Sequence, residues 1–429
     1  MLKPEDNERL CRVGPGTPMG MLMRRYWQPA ALSAELPERD GAPVRVRLLG
    51  EDLIGFRDSN GRIGLIDAYC PHRRAPLFFG RNEECGLRCV YHGWKFDIDG
   101  ACVDLPSEPA ASPMKASIKI TAYPTVERGG VVWAYLGPPE HMPAPPDYEW
   151  TRAPATHRHV SKTFEDCNWL QALEGGLDTA HGSFLHNNQL GNKKLLRQRD
   201  GAPKIEVEKT DYGYYYVSTR KPAADEHYVR VYQYIMPAQQ MRANILAREG
   251  GRSNMPKHDG HVWAPVDDGH CCVYNFTFAY DSATPITADY YEMIEEAYGR
   301  GKNDFIPGTF HLKRNMANDY LIDRQAQKTQ TFTGIAGINT QDFALQEGMG
   351  RVAGGGAIVD RSQEHLGSSD RAIAMMRRML LEAIDNVANG GAAPGADPAT
   401  HRNVRSHEAM VPAGQDWREV FGSEISAKW

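Results

Sequence analysis

Hydrophobic and polar positions alternate in short runs between Val44 and Leu136. The runs VRVRLLG, DLIGFRD, RIGLIDAYC and GGVVWAYLG have the length and alternation of β-strands, and the turn residues DSNG separate the second from the third. This stretch therefore predicts a small module built of β-strands.

A proline-rich segment, residues 137–146, follows the β module at once. Such a segment neither propagates a helix nor sits in a central strand, so we place a domain boundary there. The predicted organisation is an N-terminal arm and helix over residues 1–43, a β domain over 44–140 and a larger domain over 147–429.

The larger domain mixes helical and strand-like patterns. Residues 165–181 and 368–391 space their apolar residues by three and four, which predicts two helices, the second with Ser368 as its cap. The runs YGYYYVSTR, YVRVYQYI and CCVYNFTFAY predict strands. The expected fold class is α+β, with an all-β domain followed by a domain of antiparallel sheet and helices.

Composition excludes several classes of function. The 429 residues are 41% hydrophobic and carry a net charge of −5, so no nucleic-acid partner is expected. No apolar run approaches the roughly 20 residues of a membrane span, and the charged start lacks the apolar core of a signal peptide, so we expect no membrane association and a cytoplasmic location. Eight cysteines are too sparse for a disulfide scaffold, which makes cysteine clusters metal candidates.

Two short cysteine and histidine pairs form the first such cluster. Cys70 and His72 are separated by one residue, and Cys89 and His92 by two. Two cysteines and two histidines also satisfy a tetrahedral zinc site, which is one alternative. Each pair here mixes one cysteine with one histidine, and this order suits a [2Fe-2S] cluster with two cysteines on one iron and two histidines on the other. Cys85 is left out of this pattern and is predicted to be a structural thiol.

A second constellation lies in the first predicted helix of the larger domain. Asp178 and His181 are three residues apart and share a helical face, whereas His186 would point about 140° away on a regular helix unless Gly182 bends the chain. These residues are either the solvated end of a helix or part of a metal site. Two histidines and one carboxylate on one face of iron(II) are typical of non-heme oxygenases.

The motifs CPHR near residue 70 and CVYHGW near residue 90 resemble the two loops of a Rieske domain, and the whole chain resembles the oxygenase component of Rieske non-heme iron oxygenases. The resemblance implies that His181 and His186 bind iron and that Asp178 bridges the cluster and the iron. It further implies an iron-binding aspartate from a distant segment, for which Asp342 is the first choice and Asp360 and Glu347 are alternatives. Asn168 and Glu174 are the other predicted catalytic residues.

A closer resemblance is to the phthalate dioxygenase and dehydrodivanillate O-demethylase group. It is found in VGPGTPMG with RRYWQP, in NWLQALEGG, and in VDRSQEHLGSSD, and it covers the chain nearly end to end. This group implies a helix-grip-like catalytic domain, a homotrimer that stacks or stays single, and contact between Asp178 and His72 or His92 of a neighbouring subunit. Electrons from NAD(P)H would arrive through a separate reductase or ferredoxin, because no plant-type ferredoxin motif and no dinucleotide-binding fingerprint occurs.

Aromatic acids are the substrates that this resemblance implies, and a buried carboxylate needs a cation beside it. The predicted substrate-binding residues are Ser183, Arg220, Arg230 and Arg242, with Lys193, Lys194, Arg197 and Arg199 as a further basic cluster. The favoured reaction is O-demethylation of a lignin-derived methoxylated aromatic acid such as dehydrodivanillate, with O2 as the oxidant. The alternatives are cis-dihydroxylation of a phthalate-type acid and, from another class, electron transfer without oxygenase activity.

Overall fold

The structure is a computed structural model that describes residues 2–191, 196–246, 255–350 and 356–429. In these residues the strands are β1 Trp27–Leu32, β2 Val44–Leu48, β3 Glu51–Arg57, β4 Ile63–Asp67, β5 Arg81–Glu83, β6 Gly86–Arg88, β7 Lys95–Phe96, β8 Cys102–Asp104, β9 Thr125–Arg128, β10 Val131–Tyr135, β11 Arg158–Glu165, β12 Lys204–Lys209, β13 Gly213–Arg220, β14 Glu226–Ile235, β15 Gln239–Asn244, β16 Lys257–Asp267, β17 His270–Ala279 and β18 His407–Pro412. The α-helices are α1 Pro4–Cys11, α2 Pro18–Met23, α3 Met114–Ser117, α4 Glu149–Arg152, α5 Trp169–Leu177, α6 Leu196–Arg199, α7 Ala288–Tyr298, α8 Arg324–Thr329, α9 Ile338–Gln346, α10 Arg371–Ala388 and α11 Trp417–Phe421.

The N-terminal β module consists of three small antiparallel sheets. Their strand orders are β1-β10-β9, β2-β3-β4 and β5-β6-β7-β8. The predicted strands of this module are therefore confirmed, and the arm before residue 44 adds a strand, because Trp27 of β1 pairs with Tyr135 of β10. Buried apolar residues such as Phe56, Leu87 and Phe96 form a core directly beneath Cys70 and Cys89.

The C-terminal domain is built on one antiparallel sheet of eight strands. The order is β11-β17-β16-β15-β14-β13-β12, and β18 pairs with β14. The α+β fold class expected from the sequence is thus confirmed, although β16 and β15 lie in stretches for which the hydrophobic pattern predicts no strand. Among the described residues, no helix is long and apolar enough to cross a membrane.

The register of this sheet brings polar residues of distant segments to one face. Glu165 lies opposite Cys271, Asn275 opposite His261, and Arg242 opposite Asp259. Because side chains alternate between the two faces of a strand, these pairs and their neighbours at every second position share a face. This face, which we call the inner face, is where the functional residues of the domain collect.

Helix α5 packs against the inner face at close range. A Cβ atom on Gly176 would lie 2.2 Å from the ring of Trp263 in β16, and one on Gly175 would lie 1.9 Å from the amide nitrogen of Gln346 in α9. Only glycine permits this approach at position 176, whereas at position 175 the flexible end of the Gln346 side chain can move aside. Gly176 therefore sets the distance between the sheet and α5.

Both predicted helices are shorter than the sequence pattern suggests. Helix α5 begins after its cap Asn168 and ends at Leu177, and Asp178 already has extended backbone (φ −71°, ψ 126°). Asp178 and His181 therefore do not share a helical face, because the chain has left the helix before either residue. Helix α10 begins at Arg371 with Asp370 as its N-cap, and Ser368 lies in a preceding 3-10 turn rather than at the cap.

Candidate metal centres and active-site cavity

The two cysteine and histidine loops of the β module converge as their spacing predicts. Cys70 and Cys89 are both buried and adjoin one another, while the rings of His72 and His92 lie 4.5 Å apart between centroids. Each loop is a tight turn, because the N–H of Arg74 donates to the carbonyl of Cys70 and that of Gly93 to the carbonyl of Cys89. The two turns thus bring the two sulfurs together and the two imidazole rings together.

These four side chains fit an iron-sulfur cluster. Burial and the adjoining Cys89 together raise the pKa of the Cys70 thiol to about 11, so at neutral pH this sulfur becomes a thiolate only if a metal binds it. His72 is exposed and stacks on Trp94, which places the histidine side of the site at the protein surface. Cys85 is apart from the group, because its sulfur accepts a hydrogen bond from Asn60 at 3.2 Å.

A second site unites two histidines with a carboxylate from helix α9. The Nε2 atoms of His181 and His186 lie 3.1 Å apart, and Oδ1 of Asp342 lies 3.2 Å from the Nε2 of His186 and 3.6 Å from that of His181. Such mutual separations suit three ligands on one face of a metal ion with bonds of about 2.1 Å. In the described part of the chain, these three residues are the ones whose potential ligand atoms all lie within 4.8 Å of one another.

The hydrogen bonds of the two imidazoles show why this site suits a cation. Nδ1 of His186 lies 2.8 Å from Oε1 of Gln341, and the amide nitrogen of Gln341 donates to Asn188 and to the carbonyl of Ile335, so the amide orientation is fixed. Nδ1 of His186 must therefore carry the proton, and its Nε2 carries a lone pair. Nδ1 of His181 likewise faces Oδ2 of Asp178 at 3.3 Å. Two lone pairs and a carboxylate thus face each other, an arrangement that suits a bound cation.

Asp178 lies between the second site and the protein surface. Its Oδ1 accepts hydrogen bonds from the backbone N–H of Ala180 and His181. Burial opposes ionisation of Asp178, but the N–H donors of His181 and Ala180 outweigh it and lower its pKa. The side chain remains 24% exposed, so it stays accessible from outside while it contacts the iron-site histidine.

Several other predicted residues are engaged elsewhere. Glu347 binds Tyr320 and the backbone N–H of Asp166, and the exposed Asp360 caps a 3-10 turn, so the structure brings Asp342 rather than these alternatives to the histidines. Asn168 caps α5 and donates to two backbone carbonyls. Glu174 pairs with two buried arginines, Arg361 and Arg377. Neither Asn168 nor Glu174 is among the described residues that line the active-site cavity.

A cavity of about 560 Å³ opens between the inner face, α5 and α9, and it includes the three iron-site residues. Arg220, Arg230 and Arg242 all line it, as predicted for substrate-binding residues, and so does Arg199. Ser183 is buried but does not belong to the described lining. Lys193, Lys194 and the side chain of Arg197 lie outside the described residues.

The three arginines differ in what they bind. Arg230 forms an ion pair with Glu408 at 3.1 Å and donates to Ala243 and Asn244. All three nitrogens of Arg220 donate to uncharged oxygens of the protein, the shortest bonds being 2.7 Å to Ser218 and to the carbonyl of Thr179. Arg242 contacts His261 through Nη1, and no carboxylate of the described chain lies within ion-pair distance of it. Arg242 is thus the arginine with donors left for a ligand.

Three site residues have no counterpart among the sequence predictions. Gln341 orients His186, His261 holds Arg242, and Asn275 in turn binds His261. Gln341 directly precedes the predicted ligand Asp342, and this position in the sequence is a signal by which Gln341 could be predicted to lie at the site. Asn275 alternates with apolar residues in its strand and His261 ends the polar run KHDGH, but neither pattern shows which partner the register brings opposite.

Comparison with known proteins matches both domains. Residues 26–124 match the family described as Rieske [2Fe-2S] domain, and residues 134–428 match the family described as LigXa C-terminal domain like. The phthalate 4,5-dioxygenase oxygenase subunit of Pseudomonas putida is 41% identical over 98% of this chain and 94% of its own length. The 5,5'-dehydrodivanillate O-demethylase oxygenase subunit of Sphingobium sp. strain SYK-6 is 32% identical over 98% and 90%.

A solved structure, Pseudomonas putida CBB5 NdmA, has the same fold with a TM-score of 0.63 and 18% identity, over 93% of this chain and 99% of that chain. The matches over both domains exclude the zinc module and the stand-alone electron carrier that the sequence left open. The chain therefore belongs to the Rieske oxygenases, as an oxygenase component that holds a [2Fe-2S] cluster and a mononuclear iron and receives electrons from a separate reductase.

Proposed function

We propose that this oxygenase acts on an aromatic carboxylate and adds both atoms of O2 to the ring as a cis-diol. The observation that supports an anionic substrate is Arg242, which lines the cavity and forms no ion pair with a carboxylate of the described residues, although Asp259 and Asp342 act on it electrostatically. A half-buried guanidinium without a direct ion pair has N–H groups to offer, and a ligand carboxylate accepts them through paired, charge-assisted hydrogen bonds. Arg220 contributes a second positive charge to the same cavity, again with only uncharged partners.

Different residues of this chain would bind the iron, orient the substrate and contact its ring. When bound, the mononuclear iron supplies the activation of O2, and the cluster supplies electrons one at a time. His181, His186 and Asp342 hold the iron, and Arg242 orients the substrate by its carboxylate. Trp263, Val273 and Phe343 line the cavity with apolar surface for the ring.

We prefer ring dihydroxylation to demethylation because of the sequence identities to the two relatives. Similarity to the phthalate 4,5-dioxygenase subunit is greater than that to the dehydrodivanillate O-demethylase subunit, with nearly equal coverage of this chain. The reaction favoured from the sequence, O-demethylation of a methoxylated lignin-derived acid, stays the second candidate. The cavity supports it, because about 560 Å³ lies within the range of about 300–1,000 Å³ for larger ligands and leaves space for an acid with two rings.

A single turnover tests the two reactions. The protein with both metal centres loaded is reduced chemically and exposed to O2 with phthalate isomers, chlorobenzoates and methoxylated aromatic acids, and the products are assayed as cis-diols and formaldehyde. A cis-diol from an acid supports the proposal, and formaldehyde moves the assignment to the demethylase. An Arg242→Met variant with unchanged turnover of every acid would contradict the carboxylate-binding role.

We infer that the active form is a homotrimer in which the cluster of one subunit serves the iron of the next. His72 is exposed, as are two apolar residues of the other loop, Val90 and Tyr91, so the histidine side of the site that would hold the cluster lies at the surface of its own chain. Within the described residues, no hydrogen bond joins His72 or His92 to Asp178. An exposed apolar surface of this kind is typical of a protein interface.

Coexpression of two inactive variants tests this arrangement. Cys70→Ser removes the cluster and His181→Ala removes the iron, so each homo-oligomer is inactive. A mixed oligomer regains activity if a cluster serves a neighbouring iron, because some interfaces then combine an intact cluster with an intact iron site. Mixed oligomers without activity, with a trimer confirmed by native mass spectrometry, would show that each subunit uses its own cluster.

A further inference from the structure

Arg242 is held by a chain of hydrogen bonds that crosses four adjacent strands of the inner face. Its Nη1 donates to Nε2 of His261 at 3.1 Å, Nδ1 of His261 lies 2.8 Å from Oδ1 of Asn275, and Nδ2 of Asn275 donates to Oγ1 of Thr163 at 2.8 Å. The strands involved are β15, β16, β17 and β11. The chain of bonds thus runs from the edge strand of the sheet to the cavity.

The amide orientation of Asn275 determines which atom donates and which accepts in each of these hydrogen bonds. The amide nitrogen of Asn275 donates to Thr163 and to the carbonyl of Val273, so its oxygen is the atom turned towards His261. An amide oxygen only accepts hydrogen bonds, which places the proton of His261 on Nδ1. The Nε2 lone pair of His261 is then left to accept from Arg242.

His261 keeps this accepting form because it is held neutral. Burial, together with the charges of Arg242 and Arg300, lowers the pKa of His261 to about 3. A protonated imidazole would repel Arg242 and offer it no acceptor. The buried position of His261, in the same face as Arg242, prevents this.

The carboxylates near Arg242 are occupied by other groups. Asp259 lies opposite Arg242 in the sheet register, but it binds Nζ of Lys257 at 3.1 Å, the hydroxyl of Thr277 at 2.7 Å and the amide of Asn244. Asp342 lines the same cavity and belongs to the iron site. Both carboxylates still act electrostatically on Arg242, so a guanidinium that is free to turn would be drawn towards one of them. A fixed neutral acceptor on one side of Arg242 keeps its remaining N–H groups directed into the cavity.

We propose that His261 and Asn275 are positioning residues that aim Arg242 at the carboxylate of the substrate and thereby select anionic aromatic substrates. Their effect passes through Arg242 rather than through contact with the reacting atoms. The inference rests on the proposed function, because it requires a substrate carboxylate at Arg242. It deepens that function by assigning the selectivity to a specific pair of residues.

The test is calorimetric titration of phthalate into the protein with both metal centres loaded, with phthalamide as the uncharged counterpart. Arg242→Met should weaken phthalate binding about 10- to 100-fold, and His261→Leu about tenfold, because a charge-assisted contact is lost or misdirected. His261→Gln restores an acceptor and should bind within about threefold of the wild type. Phthalamide binding should change little in any variant.

A double-mutant cycle separates positioning from a general structural effect. Adding His261→Leu to Arg242→Met should weaken phthalate binding no further, because the residue that His261 positions is already absent. His270→Leu is the matched control, since it removes a half-exposed histidine of β17 outside the described cavity lining, and it should bind phthalate normally. The cluster absorption spectrum confirms folding of each variant.

The outcomes distinguish this inference from the proposed function. Normal phthalate binding by His261→Leu, or an equal further loss in the Arg242→Met background, would overturn the positioning role alone. Absence of binding by the wild type to phthalate, to the chlorobenzoates and to the methoxylated acids would overturn the proposed function and this inference together.

Discussion

Oδ2 of Asp178 lies 3.3 Å from Nδ1 of His181, on the side of the imidazole that faces away from the iron site. The contact fixes the tautomer that leaves Nε2 of His181 for the metal. It also connects an iron-binding histidine to a carboxylate that is accessible from outside the chain. A single side chain thus orients one histidine of the site and remains accessible to solvent.

Replacement of Asp178 by asparagine should slow electron transfer from the cluster to the iron without removing either centre. The isosteric amide keeps the shape but loses the charge that stabilises the donor hydrogen bonds on both sides. We expect the rate of cluster reoxidation by O2 in the presence of substrate to fall about 10- to 100-fold. Stopped-flow absorbance measures this rate, and Asp360→Asn, at an exposed turn, is the control. Reoxidation at the wild-type rate would remove Asp178 from the path.

The amide of Gln341 should be needed for tight iron binding. Gln341→Leu leaves Nδ1–H of His186 without its acceptor and releases the ring orientation. The iron affinity of the mononuclear site should then fall about 10- to 100-fold, while the absorption of the cluster is unchanged. Iron content after dialysis against a graded chelator series gives the affinity. Gln341→Glu retains an acceptor and should lie between the two, so equal affinities of Gln341→Leu and wild type would refute the orienting role.

Glu174 should be important for stability and not for catalysis. Its carboxylate bonds to Arg361 at 2.9 Å and Arg377 at 2.7 Å, and these charges outweigh the opposing effect of burial and lower its pKa. Glu174→Gln leaves two buried guanidinium groups with less counter-charge, which should cost about 3–5 kcal/mol of unfolding free energy. Activity per folded molecule should be retained. A loss of kcat in a stably folded Glu174→Gln protein would instead support the catalytic role predicted from the sequence.

Mild acid should destabilise the protein partly through His401. This histidine is buried and stacks on Tyr148 at 4.5 Å, and burial lowers its pKa from 6.5 to about 4. The unfolded state takes up the proton below pH 6.5 and the folded state only below about pH 4, so the stability is complete above pH 6.5 and falls as the pH drops towards 4.

The loss attributed to His401 at pH 5 is about 2 kcal/mol. His401→Phe keeps the stacking and has no proton to bind, so its unfolding free energy should fall by about 2 kcal/mol less than that of the wild type between pH 7.5 and pH 5. Denaturant titrations at the two pH values measure the difference. Identical pH dependence in both proteins would show that His401 is not buried in neutral form.

The sequence predicts short-range features of this protein well. The spacing of Cys70, His72, Cys89 and His92 predicts the cluster because each pair lies within one tight turn. The helix prediction over 165–181 extends too far, because the apolar spacing continues while the side chain of Asp178 binds the backbone of Ala180 and ends the helix. Only the resemblance to the Rieske oxygenases predicts Asp342, because this residue is too distant from His181 along the chain to form a local sequence motif with it.

Residues of the cavity depend on sheet register, which the hydrophobic pattern does not determine. His261 lies opposite Asn275 only because β16 and β17 pair with that offset, and a shift by one residue would turn both to the other face. Which of Arg220, Arg230 and Arg242 can bind a substrate carboxylate likewise depends on their hydrogen-bond and ion-pair partners, which only the structure shows. The strand patterns do not show that Arg230 forms an ion pair with Glu408, nor that Arg242 forms none with the described carboxylates.

The fixed proton positions of His181 and His186 have a consequence for the supply of metal to this enzyme. Because Gln341 and Asp178 hold both rings with their lone pairs together, the ligand set exists before any ion arrives and binds divalent ions other than iron as well. Cobalt, nickel, copper and zinc generally bind nitrogen and oxygen ligands more tightly than iron(II) does. We therefore expect the metal supply to decide which ion is bound, so enzyme produced in zinc-rich medium should contain a normal cluster beside an inactive, mismetallated centre.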